Sequence, residues 1–279
     1  MKKQKFDATY FQKFHQLTLI ERFFLKTCCY FPPKKRREKN LIEIKSIEAF
    51  QKNLELAFGK NFWNFINGKR ILDFGCGEGW YVLGMASKCN CIAEGIDILS
   101  NFRTAETEAT KKGIKNVNFH LGLSTVLEDK SFDVIISHDS FEHFEDPEFI
   151  LSEMVRLTKP GGSILIKFGP TWMGPYGRHM GGTIRKDRPW VHLLFPERII
   201  MRCHSVYHNK EVLFEKYSDL EGGLNKMTVS KFKRILKRNT KIKVEEIDST
   251  MWLRLNIFKH IPFLREFFSS SAYAKCKRV

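Results

Sequence analysis

The sequence predicts an α/β fold with a doubly wound, mostly parallel sheet of seven strands and helices on both faces. Short apolar stretches of strand length alternate with helical stretches at intervals of about 20–30 residues between positions 70 and 168. A glycine-rich turn, Gly75-Cys76-Gly77-Glu78-Gly79, follows the first of these strands. This alternation indicates parallel strands joined by crossover helices, because each crossover returns the chain to the same end of the sheet.

Apolar spacing and turn residues predict the individual elements. Apolar side chains recur at helical spacing over 46–66, before Gly68. Asp146 and Pro147 supply an N-cap and a first-turn proline for the helix after the fourth strand. The first five strands are predicted at 70–74, 91–97, 117–121, 132–137 and 163–168. Further helices are predicted from the glycine turn to residue 88, at 100–112 and at 228–239, and further strands at 241–248 and 272–279.

The alternation also indicates how the chain is organised. Residues 1–45 are predicted to be a basic N-terminal segment, and residues 46–279 to be the α/β domain. After the fifth strand the pattern stops over 169–228, a stretch rich in aromatic and arginine side chains. Because long loops after central strands carry function, we expect 169–228 to be an insertion that acts as a lid or binds substrate.

Composition excludes several classes of protein. With 43% hydrophobic and 28% charged residues, the chain is neither disordered nor fibrous, and no apolar run is long enough to span a membrane. The net charge of +16 lies at the ends, with +8 in residues 1–40 and +9 in residues 229–279. Such ends favour an anionic membrane surface, nucleic acid or a phosphate-bearing substrate as partner, although they also serve solubility. Seven cysteines without zinc-like pairs favour reduced thiols and a cytoplasmic location.

The glycine turn and two acids predict a nucleoside-binding site. Gly75 and Gly77 allow the backbone to approach a ligand, and the helix after Gly79 directs its first amides towards that ligand. Asp97 ends the second strand, where an acid accepts hydrogen bonds from ribose hydroxyls. The GxGxG spacing differs from the GxGxxG of dinucleotide sites, and a pyrophosphate would be repelled by Asp73. A nucleoside with a cationic amino-acid end, S-adenosylmethionine, fits these residues better.

Four motifs in order resemble those of class I S-adenosylmethionine-dependent methyltransferases, of the type 11 kind. They are Ile71-Leu72-Asp73-Phe74-Gly75-Cys76-Gly77-Glu78-Gly79, Gly95-Ile96-Asp97, Ser131-Phe132-Asp133-Val134-Ile135-Ile136-Ser137 and Leu157-Thr158-Lys159-Pro160-Gly161-Gly162. The resemblance covers about residues 70–170 and implies a Rossmann-like fold. It implies cofactor contacts from Asp73, Gly75, Cys76, Gly77, Gly79, Asp97 and Ile98. Where the family often has Gly-Asp after the third strand, for adenine, this chain has Gly122-Leu123.

A polar run at 138–144, after the fourth strand, predicts reacting groups. If a helix begins there, Asp139 lies three or four residues from Glu142 and His143 and shares a face with them. Two carboxylates and an imidazole suit a hard divalent cation such as Mg²⁺, which would lower the pKa of a substrate hydroxyl.

A second resemblance bears on the same run. Asp139-x-x-Glu142-His143 is similar to the Glu-x-x-Glu-His motif of magnesium-dependent O-methyltransferases, in one group of which another histidine follows the fifth strand. His192 matches that histidine, with His179 as the rival. The resemblance therefore implies a Mg²⁺ site made of Asp139, Glu142, His143 and His192. A metal-free alternative makes His143 or His192 the catalytic base, and another gives the run a structural role.

Together these features predict methyl transfer from S-adenosylmethionine to an oxygen of a small molecule or a sugar or glycan-type acceptor. One alternative is methylation of RNA ribose, with the basic ends bound to phosphates. Another is a non-catalytic subunit that binds the cofactor beside a partner. Apolar residues within 251–268, beside Lys259 and Arg265, predict either peripheral contact with a membrane surface or a packed core.

Overall fold

The computed structural model describes residues 8–30, 47–180, 182–220 and 222–279. The chain divides into two compact units. The first unit contains the described residues of 1–41, 170–228 and 251–270, and the second contains those of 42–169, 229–250 and 271–279. The predicted organisation into 1–45, 46–279 and an insertion at 169–228 stays a prediction. Much of the predicted basic N-terminal segment lies outside the described residues.

The second unit is built on a seven-stranded sheet. Its strands are β1 (Arg70–Phe74), β2 (Ile92–Asp97), β3 (Val117–Leu121), β4 (Phe132–His138), β5 (Thr158–Phe168), β6 (Ile242–Met251) and β7 (Ser269–Arg278). They lie in the order β3-β2-β1-β4-β5-β7-β6. Strands β1 to β5 pair in parallel, and β7 runs antiparallel to β5. The predicted doubly wound, mostly parallel sheet is confirmed, and the reversal at β7 is an addition to it.

The α-helices of the described residues are α1 (Ala8–His15), α2 (Leu19–Cys28), α3 (Ile47–Phe58), α4 (Phe62–Ile66), α5 (Trp80–Lys88), α6 (Arg103–Lys111), α7 (Pro147–Leu157), α8 (Val191–Leu194), α9 (Glu197–Tyr207), α10 (Val229–Arg238) and α11 (Pro262–Phe268). Six of them, α3 to α7 and α10, lie in the predicted spans, and the other five are additions. The helix expected over 46–66 is instead α3 and α4, because Gly59 between them has a left-handed backbone with φ +89°. Asp146 caps α7 as expected, accepting a hydrogen bond from the Phe149 N–H at 3.0 Å.

The core of the second unit lies between the central strands and the helices beside them. Ile71 on β1, Val134 and Ile136 on β4 and Val82 and Met85 on α5 are completely buried in one cluster. Burying an aliphatic side chain of this size stabilises the folded state by about 1.5–3 kcal/mol. Strand β4 is buried along nearly its whole length, as expected of a central parallel strand covered on both faces.

The first unit is mainly helical and has its own core. Phe24 and Leu25 on α2 are buried in one cluster with Met201 and Val206 on α9. Helix α2 starts with a reciprocal cap, in which Thr18 and Glu21 exchange side-chain and backbone hydrogen bonds. The segment 251–268 is not one continuous helix, since short 3-10 turns precede α11. Among the described helices, none has the length and apolar character needed to cross a bilayer.

Candidate cofactor and active site

The strand order reverses between β1 and β4. Strand β1 pairs with β2 on one side and with β4 on the other, so chain connections leave this point in opposite directions. Such a reversal opens a crevice at the carboxyl ends of the two strands, where α/β sheets bind ligands. The loop 75–79 after β1 and the turn 139–144 after β4 therefore lie at one edge of the sheet. Ser140 joins them, because its Oγ donates a hydrogen bond to the Gly75 carbonyl oxygen at 2.7 Å.

The glycine loop is held against β2 by backbone hydrogen bonds. The N–H groups of Gly75 and Cys76 both donate to the Ile96 carbonyl oxygen, at 2.9 and 3.0 Å. The Gly79 N–H donates to the Cys76 carbonyl oxygen at 2.9 Å and closes a tight turn. The loop therefore keeps its shape through contacts within the second unit.

Two glycines of this loop are required by both conformation and space. Gly75 and Gly79 have left-handed backbones, with φ +79° and +78°. A Cβ on Gly75 would lie 2.9 Å from the Ser140 Cβ, and one on Gly79 would lie 2.6 Å from the Phe119 ring. Both distances are too short for a real side chain. Helix α5 begins at Trp80, so its first amides follow the loop directly and face the crevice edge.

Asp73, at the end of β1, is a buried acid. Its side chain is 1% exposed, and neither carboxylate oxygen meets a donor among the described residues. Burial raises the pKa of Asp73 to about 8, and the negative charge of Asp97 adds to the rise. An isolated buried carboxylate is unfavourable, so this position suits a bound cation that carries N–H donors.

Asp97, at the end of β2, braces the glycine loop. One of its carboxylate oxygens accepts a hydrogen bond from the Gly77 N–H at 2.8 Å, and the other accepts from the Leu99 N–H at 2.9 Å. Each oxygen has a second lone pair, so ribose hydroxyls can still donate to it. The sequence indicated the ribose contact and not the brace. The neighbouring Ile98 side chain is 70% exposed and offers apolar surface to a ligand.

Cys76 contributes backbone and packing. Its thiol is buried, and a Cβ on Gly95 would lie 2.8 Å from its Sγ. Burial raises the pKa of the Cys76 thiol, with the charges of Asp73 and Asp97 adding to the rise. A thiol held in the neutral form is a poor nucleophile, so the sulfur fills space beneath the loop.

The helix expected at 139–144 does not form. Asp139 has a left-handed backbone with φ +54°, residues 141–143 make a turn, and α7 begins only at Pro147. A left-handed residue cannot continue a right-handed helix. The expectation that Asp139 shares a helix face with Glu142 and His143 is therefore wrong.

The turn nevertheless keeps these polar groups close to one another. A carboxylate oxygen of Glu142 and a ring nitrogen of His143 lie within 4.8 Å. Glu142 is 2% exposed, and its Oε1 accepts a hydrogen bond from the Gly169 N–H at 3.2 Å. Burial raises the pKa of Glu142 to about 8, and the charge of Asp139 adds to this. His143 is exposed, so the pair joins a buried acid to an accessible imidazole.

The predicted Mg²⁺ site can be compared with these contacts. Mg²⁺ prefers oxygen ligands in an octahedral arrangement. The Asp139 carboxylate lies 3.2 Å from the His138 Nδ1, and Glu142 already accepts a backbone hydrogen bond. These contacts are compatible with a hydrogen-bonded network as well as with a bound cation. The magnesium site therefore stays a prediction.

His192 and His179 belong to the first unit. His192 lies on α8 and is 5% exposed, and its Nε2–H donates to the Trp172 carbonyl oxygen at 2.7 Å. Burial lowers the pKa of His192 to about 4, so this imidazole is neutral and weakly basic at pH 7. A role for His192 as base or metal ligand stays a prediction.

Sequence reasoning missed two residues that shape the loop. Ser140 could have been predicted, because it is a small hydroxyl residue directly after β4, the strand beside the reversal. Phe119 has none, because its contact with Gly79 depends on the pairing of β2 with β3. Phe119 also stacks on Phe102, with ring centroids 5.1 Å apart.

Comparison with known proteins agrees with this geometry. Residues 72–166 match a family model described as a methyltransferase domain. Phosphoethanolamine N-methyltransferase 2 of Caenorhabditis elegans is 29% identical over 147 residues, covering 51% of this chain and 31% of that protein. Ubiquinone biosynthesis O-methyltransferase of Maricaulis maris (strain MCS10) is 31% identical over 112 residues, covering 39% of this chain and 43% of that protein. The matched regions thus span less than half the length of these two relatives.

Solved structures share the fold. Coclaurine N-methyltransferase bound to N-methylheliamine and S-adenosylhomocysteine superposes with a TM-score of 0.51 at 17% identity. That alignment covers 98% of this chain and 89% of the other. Matching motifs, sheet order and relatives agree: residues 72–166 match a methyltransferase domain, and the chain is similar to methyltransferases over that segment.

Proposed function

We propose that this protein transfers the methyl group of S-adenosylmethionine to a nucleophilic oxygen of a small-molecule acceptor, a sugar or glycan-type hydroxyl being one example. The observation that carries the proposal is the buried carboxyl group of Asp73 at the strand-order reversal, to which none of the described residues donates a hydrogen bond. The cofactor has an ammonium group that this carboxylate can bind by charge-assisted hydrogen bonds. NAD has no ammonium group, and Asp73 would repel its pyrophosphate.

The residues around the crevice each have a role in holding the cofactor. Asp73 would accept hydrogen bonds from its ammonium group, while Gly75, Cys76, Gly77 and Gly79 would enclose the amino-acid tail without side chains in the way. Asp97 would accept hydrogen bonds from the ribose hydroxyls in addition to those from the loop.

To the methyl transfer itself, the protein contributes orientation of the acceptor and removal of its proton. When bound, the cofactor supplies a methyl group on a positively charged sulfur, and the bonding electrons stay with sulfur when the methyl group leaves. An acceptor hydroxyl must lose its proton as it becomes an ether, and an accessible base near the crevice can take it. We assign this base to His143, which is exposed and lies beside Glu142. His192 is buried, and its pKa of about 4 makes it a weak base at pH 7.

The acceptor must be identified by experiment, because the two relatives methylate different acceptors. By their names, one acts on phosphoethanolamine nitrogen and the other on an oxygen of a ubiquinone precursor. A methyl-transfer assay with labelled cofactor should therefore include an amine, a phenol, a sugar and RNA. Labelled RNA would support the ribose alternative. Cofactor binding without turnover on any acceptor, alone or with a cellular extract, would favour the non-catalytic alternative.

Cofactor choice is tested by calorimetry. We expect heat of binding with S-adenosylmethionine and S-adenosylhomocysteine and none with NAD. Binding of NAD alone would contradict the proposal.

The base is tested by His143→Ala. We expect kcat to fall about 10²–10⁴-fold, as is typical for loss of a catalytic base, with the affinity for S-adenosylmethionine unchanged. His15→Ala, at another exposed histidine, is the matched control. An unchanged kcat in the His143 variant would remove His143 from the mechanism.

A further inference from the structure

The first unit carries an apolar segment, 252–268, in which no residue is buried. The structure describes every residue of this segment, and each is exposed or half-buried. Four large apolar side chains face solvent, with exposed fractions of 68% for Leu253, 74% for Ile257, 48% for Ile261 and 69% for Phe263. Single exposed apolar residues are ordinary, but several in one short segment mark a surface that binds something.

The segment is attached to its unit through aromatic rings. The indole N–H of Trp190 donates a hydrogen bond to the Phe267 carbonyl oxygen at 3.0 Å. The Trp190 ring packs edge-on against Trp252 and Phe268, with ring centroids 5.1 and 5.5 Å apart. Phe258 also contacts Phe268, at 4.9 Å between ring centroids. These contacts hold the segment in place and leave the four exposed side chains facing solvent.

The backbone at the start of the segment is strained. Leu253 and Arg254 are consecutive non-glycine residues with φ of +52° and +57°. Such a backbone is unfavourable, particularly for a bulky side chain such as leucine. Burial of Leu253 within the chain does not offset this cost, because the side chain is 68% exposed. Contact of Leu253 with an apolar phase outside the chain would offset it.

The same segment is positively charged. Residues 252–265 contain no acidic residue, whereas Arg254, Lys259 and Arg265 are cationic, and Glu266 is the one acid that follows before residue 268. Exposed apolar side chains beside cations match the surface of an anionic membrane. There the apolar side chains enter the boundary beneath the headgroups, while lysine and arginine extend to the lipid phosphates.

We propose that 252–268 is a docking surface for an anionic lipid membrane. Leu253, Ile257 and Phe263 enter the apolar boundary beneath the headgroups, and Arg254 contacts the lipid phosphates. Nucleic acid would satisfy the cations but would leave the aliphatic side chains in water. The surface goes beyond the proposed methyl transfer and does not depend on it.

Cosedimentation of the full chain with lipid vesicles tests the surface without any activity assay. The vesicles contain phosphatidylcholine alone or phosphatidylcholine with about 30% phosphatidylserine, which makes them anionic. We expect binding to the anionic vesicles to be about tenfold tighter than to the neutral ones, and to weaken as salt is added. Equal binding to both kinds of vesicle, or no binding to the anionic ones, would overturn the proposal.

Ile257→Glu distinguishes the segment from the other basic regions of the chain. The Ile257 side chain is 74% exposed, so Tm and the affinity for S-adenosylmethionine should stay unchanged. A carboxylate at the membrane boundary should weaken binding to anionic vesicles about 100-fold. Leu56→Glu, at a side chain of α3 that is 71% exposed, is the matched control and should bind nearly as the parent chain does. Equal binding by the two variants would show that another region binds the lipid, and the proposal would fail.

Arg254→Gln tests the charge while keeping every apolar side chain. We expect binding to anionic vesicles to weaken about fivefold, as is typical for one cation near an anionic surface, and binding to neutral vesicles to stay unchanged. Lys111→Gln removes an exposed cation at the end of α6 and is the control. If both variants bind anionic vesicles equally, Arg254 does not contact the headgroups and the proposal is overturned.

A second copy of the chain is the alternative occupant of this surface. Without lipid, we expect the parent chain and Ile257→Glu to have the same oligomeric state in sedimentation velocity. Self-association of the parent chain that Ile257→Glu abolishes would show that the segment binds another copy, and it would overturn the proposal.

Discussion

Each of the two units buries an ionisable side chain that forms no ion pair with any described residue, and the two side chains differ in how they tolerate burial. Asp73 in the second unit can take up a proton, because burial raises its pKa to about 8. Arg178 in the first unit cannot lose its proton near pH 7 even though burial lowers its pKa. The acid can therefore remain neutral until a cation arrives, whereas the arginine keeps its charge at all times. Near pH 7, the stability of the protein should consequently depend on pH through Asp73 and not through Arg178.

The largest expected effect concerns stability and pH. An unfolded aspartate ionises near pH 4, but folded Asp73 stays protonated up to about pH 8, so stability should fall as pH rises between these values. The slope is at most about 1.4 kcal/mol per pH unit for one proton. Asp73→Asn removes this dependence, so its advantage in chemical denaturation should grow from pH 5 to pH 8. A difference that does not change with pH would show that Asp73 does not titrate in this way.

The next effect concerns cofactor affinity. Asp73→Asn keeps the shape but removes the charge, and we expect affinity for S-adenosylmethionine to fall about 100-fold in calorimetry at pH 8. Asp129→Asn makes the same chemical change at a side chain that is 64% exposed, and its affinity should equal that of the parent chain. Comparable affinity in the Asp73 and Asp129 variants would show that Asp73 does not bind the ammonium group of the cofactor.

A smaller effect should arise in the glycine loop that leads to Asp73. Gly79→Ala combines a left-handed backbone with a Cβ 2.6 Å from Phe119, so we expect it to destabilise the fold by about 2–3 kcal/mol. Gly113→Ala has a similar φ of +66° with no atom within 4 Å of its Cβ, and about 1 kcal/mol is expected. Equal losses in urea denaturation would mean that the Phe119 ring moves aside.

The smallest effect is expected from chelation. Asp139, Glu142 and His143 are predicted ligands of Mg²⁺. The Asp139 carboxylate also contacts His138, and Glu142 accepts a backbone hydrogen bond, so both carboxylates have partners within the protein. Because our mechanism uses His143 as a base without a metal, turnover should be unchanged by EDTA. Loss of turnover with EDTA and its recovery with Mg²⁺ would restore the metal site and reassign His143 as a ligand.

Local patterns explain what the sequence predicted correctly. The sheet and the turn 75–79 could be predicted because apolar runs and closely spaced glycines encode them within a few residues. The break between α3 and α4 has a local signal in Gly59, because glycine often ends a helix with a left-handed backbone, but the apolar spacing over 46–66 concealed it. The non-helical turn at Asp139 could not be predicted, because non-glycine residues seldom adopt that backbone. The sequence also could not predict that Asp73 and Arg178 are buried without an ion pair among the described residues, since this depends on which residues surround them in the fold.

The hydrogen bonds from Gly77 and Leu99 to Asp97, and from Ser140 to Gly75, are made entirely between groups of the protein. A pocket that is already rigid loses little conformational entropy on binding, so association should resemble a lock and key rather than a folding event. Amide hydrogen exchange at Gly77 should accordingly be slow even in the empty protein.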